Sequence, residues 1–151
     1  MLINCDISYL GSALADINQF QEAIQCFNEA ICVNPKYGFA LIGKGNALQS
    51  NRSNIKMQLI VSPKLFLLIL NLILHGLAKD VLQAICFNYN EAIQCFNEAI
   101  SNNPKYADAW NQKGIALNNL NQYQEAIECP NEAIAINPKN VHAWNNKDNL
   151  L

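Results

Sequence analysis

QEAIQCFNEAI at residues 21–31, NEAIQCFNEAI at residues 90–100 and QEAIECPNEAI at residues 124–134 are one phrase written three times. The second and third copies start 34 residues apart, and the first and second start 69 apart, one more than twice 34. A fixed period of about 20–50 residues marks an array of like units, none able to bury its apolar face alone, so neighbours must stack. Within the phrase Ala92, Ile93, Phe96, Ala99 and Ile100 recur at helical spacing and form one apolar stripe. Each copy is therefore one helix of a helical pair.

Working outward, residues 4–16 read NCDISYLGSALAD and put Leu10, Leu14 and Ile17 on one face, with Gly11 at the point of closest approach. Asn18 then opens a second helix, with Gln21 three places on as in a capping box. That helix carries Phe20, Ala23, Ile24, Phe27, Ala30 and Ile31 and stops at Asn34-Pro35, because proline cannot continue it and disfavours the helical conformation of the residue before. Residues 4–37 thus make one complete unit. The order large residue, Leu-Gly, large residue, Ala, Phe, Ala, Pro stands here as Ile7, Leu10-Gly11, Leu14, Ala23, Phe27, Ala30 and Pro35, and in this it resembles the tetratricopeptide repeat. Residues 107–140 match best, with Trp110, Gly114, Leu117, Tyr123, Ala126, Ala133 and Pro138 in place and Lys113 where Leu is usual. Pro130 replaces the phenylalanine of the other copies, which removes a hydrogen bond to Ala126 and a core ring and predicts a kink.

Residues 38–50, GFALIGKGNALQS, are the first helix of a further unit, and 88–105 are the second helix of one. Between them, residues 51–87 leave the pattern, and Leu, Ile and Val crowd together there. Residues 141–151 restart it with Trp144, Lys147 and Leu151 and form a terminal helix that caps the array. The expected fold is all-α: a single domain, 1–151, of antiparallel helix pairs stacked into a superhelix, with an aberrant apolar helical segment at about 53–87.

The run Leu65–Leu74 is ten residues long and broken by Asn71, short of the roughly 20 apolar residues that span a bilayer. Ser62-Pro63 fits the start of a helix instead. A different account of this stretch lies in the gene. If the third base of each codon is read with the first two of the next, permitted codons from Asn54 to Asp80 yield YKDAIDCFTKAISFNPKSNSAWLGKG, a tetratricopeptide unit with Ala, Phe, Ala, Pro and Trp at family spacing. Two compensating frame shifts would also turn a spacing of 68 into the 69 observed. The transcript's codons decide it: stop codons in the shifted frame rule it out.

Composition narrows the function. The formal net charge is −2, and ten Lys and Arg are scattered along the chain, which leaves no basic stripe for nucleic acid. No secretory signal precedes the array, so a cytoplasmic address is expected. Cys26, Cys95 and Cys129 hold the same place in the repeated phrase and act as small apolar packing residues, with no C-x-x-C pair for metal or redox chemistry. Gly38-x-x-x-x-Gly43-Lys44-Gly45 lacks the Ser or Thr and the preceding strand that a phosphate loop needs. His75 and His142 have no relay partner at useful spacing, and Trp110 and Trp144 recur at the repeat period as packing residues. No catalytic residue, cofactor or metal site is read from the chain.

The resemblance implies a non-enzymatic scaffold whose first helices line a concave groove for a peptide or helix of a partner protein. On that register the groove would present Ser8, Ser12, Asn46 and Gln49, then Asp108, Asn111, Gln112 and Asn118, then His142, Asn145 and Asn146. Amides both donate and accept, which suits the backbone of an extended peptide. Members that clamp the acidic C-terminus of chaperones present Lys and Asn one turn apart where this chain has Ser8 and Ser12, so chaperone-tail binding is not expected. The rival readings are a peripheral membrane protein anchored by residues 57–74 and a frame-damaged repeat protein without function.

Overall fold

Three Asn-Pro-Lys triplets punctuate the chain, and each closes a helix in the same way. The amides of Lys36, Lys105 and Lys139 each donate to the side-chain oxygen of the asparagine two residues before, at 3.1 Å. Those of Tyr37, Tyr106 and Asn140 donate to the carbonyls of Asn34, Asn103 and Asn137 at 3.0–3.1 Å. The asparagine side chain imitates a backbone turn while the proline fixes φ. In the computed structural model, which describes residues 2–61 and 78–150 (side chains for 5–51 and 88–150), these turns join α1 (Leu2–Asp16) and α2 (Phe20–Val33) to α3 (Gly38–Val61), and α4 (Ala78–Asn102) to α5 (Ala107–Asn119). The third joins α6 (Tyr123–Ile136) to α7 (Val141–Leu150). The described residues contain no strand.

Inside the pairs the turn chemistry differs from expectation. Asn18 does not open a helix: its φ is 63°, and Asn121, at the matching place between α5 and α6, has φ 61°. Gln19 donates back to the Leu14 carbonyl at 2.9 Å and Asn18 to that of Ala15 at 3.0 Å, with Gln122 to Leu117 and Asn121 to Asn118 repeating the arrangement. This is a Schellman closure of the first helix, in which asparagine is tolerated in the left-handed region. The second helix then begins at Phe20 with no side-chain cap, so no capping box forms.

Packing follows the pairs. α1 packs on α2, α3 on α4 and α5 on α6, and each second helix packs on the next first helix. In addition α1 touches α3, α3 touches α5 and α5 touches α7, whereas α2, α4 and α6 do not touch one another among the described residues. First helices that meet in succession while second helices splay apart require a curved stack, with α1, α3, α5 and α7 on its inner side. Residues 38–50 and 88–102 are therefore the two halves of one pair. Leu48, Tyr89, Ala92, Phe96 and Ala116 form a core that joins α3, α4 and α5.

The core rests on rings set against glycines. The Phe27 ring lies on Gly11 of its own pair, 3.0 Å from where a β-carbon would be, and on Gly43 of the next, and the Phe96 ring lies on Gly45. A β-carbon on Gly45 would overlap the Phe96 ring. In the third pair Gly114 faces Cys129 and Pro130 instead. Pro130 is buried, and α6 continues past it without interruption from Tyr123 to Ile136.

Two of the three residues expected to pack α1 do not. Leu14 joins the Phe27 cluster, but Leu10 is 54% exposed and Ile17 65%. Leu10 shares its register with Lys44, Lys113 and Lys147, a place at the rim of the pair that tolerates charge, and Ile17 falls in the turn beyond the helix. The middle pair is also longer than its neighbours. α3 has 24 residues and α4 has 25, against 13 to 15 in α1, α2, α5 and α6. Each runs about ten residues past its repeat register, ~15 Å at helical rise. The run Leu65–Leu74, the Ser62-Pro63 start and His75 lie outside the described residues, as do the side chains of the candidate anchor at 57–74.

Candidate functional site

Among the described residues, two depressions lie on the inner side of the stack, each between successive first helices. The first, of about 320 Å³, lies between α5 and α7 and is lined by Asp108, Asn111, Gln112, Ile115, His142, Asn145 and Asn146. Six of these are groove residues expected from the repeat register, and they come from two units. The second, of about 230 Å³, lies between α1 and α3, where Ser12, Asp16, Gly43, Asn46 and Ser50 meet above Phe20 and Phe27.

Not every expected side chain is free to bind. Gln49 is buried and donates to the Gln112 carbonyl at 3.1 Å, which ties α3 to α5. Asn111 is buried and accepts from Asn146 at 2.6 Å, tying α5 to α7. Ser8 is fully buried, and Ser12 donates back to its carbonyl at 3.2 Å. Asn118 is half-buried and lines neither depression. Asp108, His142 and Asn145 are exposed, while Gln112 and Asn146 are half-buried at the surface of the larger depression. Asn46 lines the smaller one, and its Oδ1 has no hydrogen-bond partner among the described residues. The amides thus divide into those that hold first helices together and those that face outward.

Residue type misled at two further places. Phe39 shares the register of Asp108 and His142, and its ring centroid lies 5.8 Å from that of Tyr9, which is 66% exposed. A search for polar groove residues passes over this aromatic pair, although the register alone would have found it. Ile115 was passed over in the same way.

On the outer side three lysines of the first helices are already engaged. Lys44 pairs with Glu91 at 3.0 Å, Lys113 lies over Trp110 at 5.4 Å and Lys147 over Trp144 at 5.6 Å. Both tryptophans also donate to the turn before them, Trp110 to the Pro104 carbonyl at 3.1 Å and Trp144 to that of Pro138 at 3.0 Å. Cys95 and Cys129 are buried, and desolvation pushes both thiols up to about 11 despite the nearby Lys44 and Lys113. Such thiols are poor nucleophiles at neutral pH. Cys26 is half-buried, with its thiol raised by burial and by Glu29. Among the described residues no group of His, Cys, Asp and Glu could hold a metal ion, and no helix is long and apolar enough to cross a membrane.

A curved stack of antiparallel helix pairs with a polar inner face defines a helical solenoid. Models of the tetratricopeptide repeat match residues 107–140 and residues 10–37 and 85–106, more than half of the sequence, and the chain belongs to that family. No curated protein matches it. Among solved structures it resembles the first tetratricopeptide domain of human RPAP3, with a TM-score of 0.73 at 15% identity over 98% of this chain and 89% of that one. The tetratricopeptide domain of Arabidopsis OM64 gives 0.71 at 18% identity over 99% and 95%. The first such domain of Spaghetti (RPAP3), bound to the HSP90 peptide SRMEEVD, gives 0.70 at 15% over 99% and 90%.

Proposed function

We propose that the protein is a non-enzymatic interaction scaffold that holds an extended segment of a partner protein along the inner side of α1, α3, α5 and α7. The observation that carries this is the depression between α5 and α7, where Gln112, Asn145 and Asn146 from two units face one space. Amide side chains there can accept from a peptide's N–H groups and donate to its carbonyls. Asn111 and Gln49 brace the helices behind them, so less ordering remains to be done on binding. The RPAP3 and Spaghetti domains with HSP90 or HSP70 peptides support peptide binding by this fold. Their acidic tails are not carried over, because Ser8 and Ser12 offer no cation where a clamp would need one.

Capture by the full chain tests the reading. The Asn145→Arg and Gln112→Arg variants should lose a partner that the parent chain retains, with helicity unchanged by circular dichroism. Glu132→Lys, on the outer surface of α6, should retain it. Capture that is indifferent to both inner-face variants would sink the proposal.

A further inference from the structure

Resting on that peptide-binding reading, we infer that the groove selects segments that carry lysine or arginine and rejects acidic tails. Charge complementarity carries this. Neither inner depression is lined by a Lys or Arg, and each contains one exposed carboxylate, Asp16 between α1 and α3 and Asp108 between α5 and α7. The first-helix lysines whose side chains are described are engaged elsewhere: Lys44 with Glu91, Lys113 over Trp110 and Lys147 over Trp144. Lys36, Lys105 and Lys139 stand on the exposed turns between helices and line neither depression.

The aromatic pair adds a second attraction of the same sign. Tyr9 and Phe39 present exposed ring surface, Phe39 at the register that Asp108 and His142 hold further along the stack and Tyr9 at that of Gln112 and Asn146. Ring faces attract lysine and arginine and give nothing to a carboxylate. A bound acidic tail would set its charges against Asp16 and Asp108 with no Lys or Arg among the residues lining either depression, and like charges brought together at a docking surface oppose binding. A basic segment meets a carboxylate at each depression and rings at one end.

The test uses the full chain and two labelled peptides, the acidic SRMEEVD and its charge-inverted counterpart SRMKKVK with an amidated end, read by fluorescence anisotropy. Exposed pairs of this kind should favour the basic peptide by about fivefold to tenfold. Asp108→Asn should reduce that preference and Asp108→Lys should abolish or invert it, while the melting temperature stays that of the parent. Equal binding of the two peptides, tighter binding of the acidic one, or no binding of either overturns the charge inference alone. Loss of groove dependence in the capture experiment overturns the scaffold reading beneath it.

Discussion

Pro130 occupies in α6 the place that Phe27 holds in α2 and Phe96 in α4, and Gly114 still faces it as Gly11 and Gly45 face those rings. The glycine keeps the close approach, but the ring that used it is gone, along with the amide that would bond to Ala126. Pro130→Phe should therefore stabilise the chain by about 2–4 kcal/mol through the restored hydrogen bond and buried ring. Thermal unfolding checks it; a lower midpoint would mean that Cys129 and Leu117 have closed over the smaller side chain. The buried thiols give a second expectation. Burial pushes Cys95 and Cys129 up to about 11 in the folded chain, from the ordinary 9.0, so between those values the unfolded state loses protons that the folded state keeps. Stability is intact below about pH 9 and falls as pH rises towards 11, by up to about 2–3 kcal/mol per thiol. Alanine at both places should flatten that slope in denaturant titrations at pH 8, 9 and 10, and an unchanged slope would assign it to other groups.

At the scale of elements, the pairs depend on how each first helix ends. Asn18 sits at φ 63° in the closure of α1, a conformation that costs a β-branched residue about 1–2 kcal/mol and glycine nothing. Asn18→Val should lower stability by that amount, whereas Asn18→Gly should change it by about 0.5 kcal/mol or less. Equal effects in urea titration would show that the asparagine side chain, not the backbone angle, closes the helix. Sequence pattern misplaced this residue for a physical reason. Asparagine followed three places on by glutamine satisfies a helix start and a left-handed helix stop alike, and only the backbone angle separates the two. The Asn-Pro-Lys turns offered no such choice, because proline cannot continue a helix.

For the whole molecule the middle pair is decisive. Among the described side chains its core, Leu48 with Tyr89, Ala92 and Phe96, joins residues 38–50 to residues 88–102. Replacing residues 51–88 with the turn Leu-Asn-Gln, as at Leu120–Gln122, should keep the stack, because Ser50 and Tyr89 match the registers of Asp16 and Phe20. Retained helicity with a single cooperative melt is the expected result. Unfolding of the shortened chain would show that the extended parts of α3 and α4 hold the pair together.

The helical class, the repeat register and the turns at Asn-Pro were determined by the sequence alone, since a 34-residue period repeats both the spacing and the chemistry. Only the tertiary structure decided that the two separated half-units are partners, because pairing depends on Phe96 finding Gly45 across 51 residues of chain, which no local pattern encodes. It likewise decided which amides face the groove. Asn111 and Asn145 occupy one register, but Asn111 has a neighbouring helix on its far side to supply the Asn146 amide, whereas Asn145 stands exposed on the last described helix.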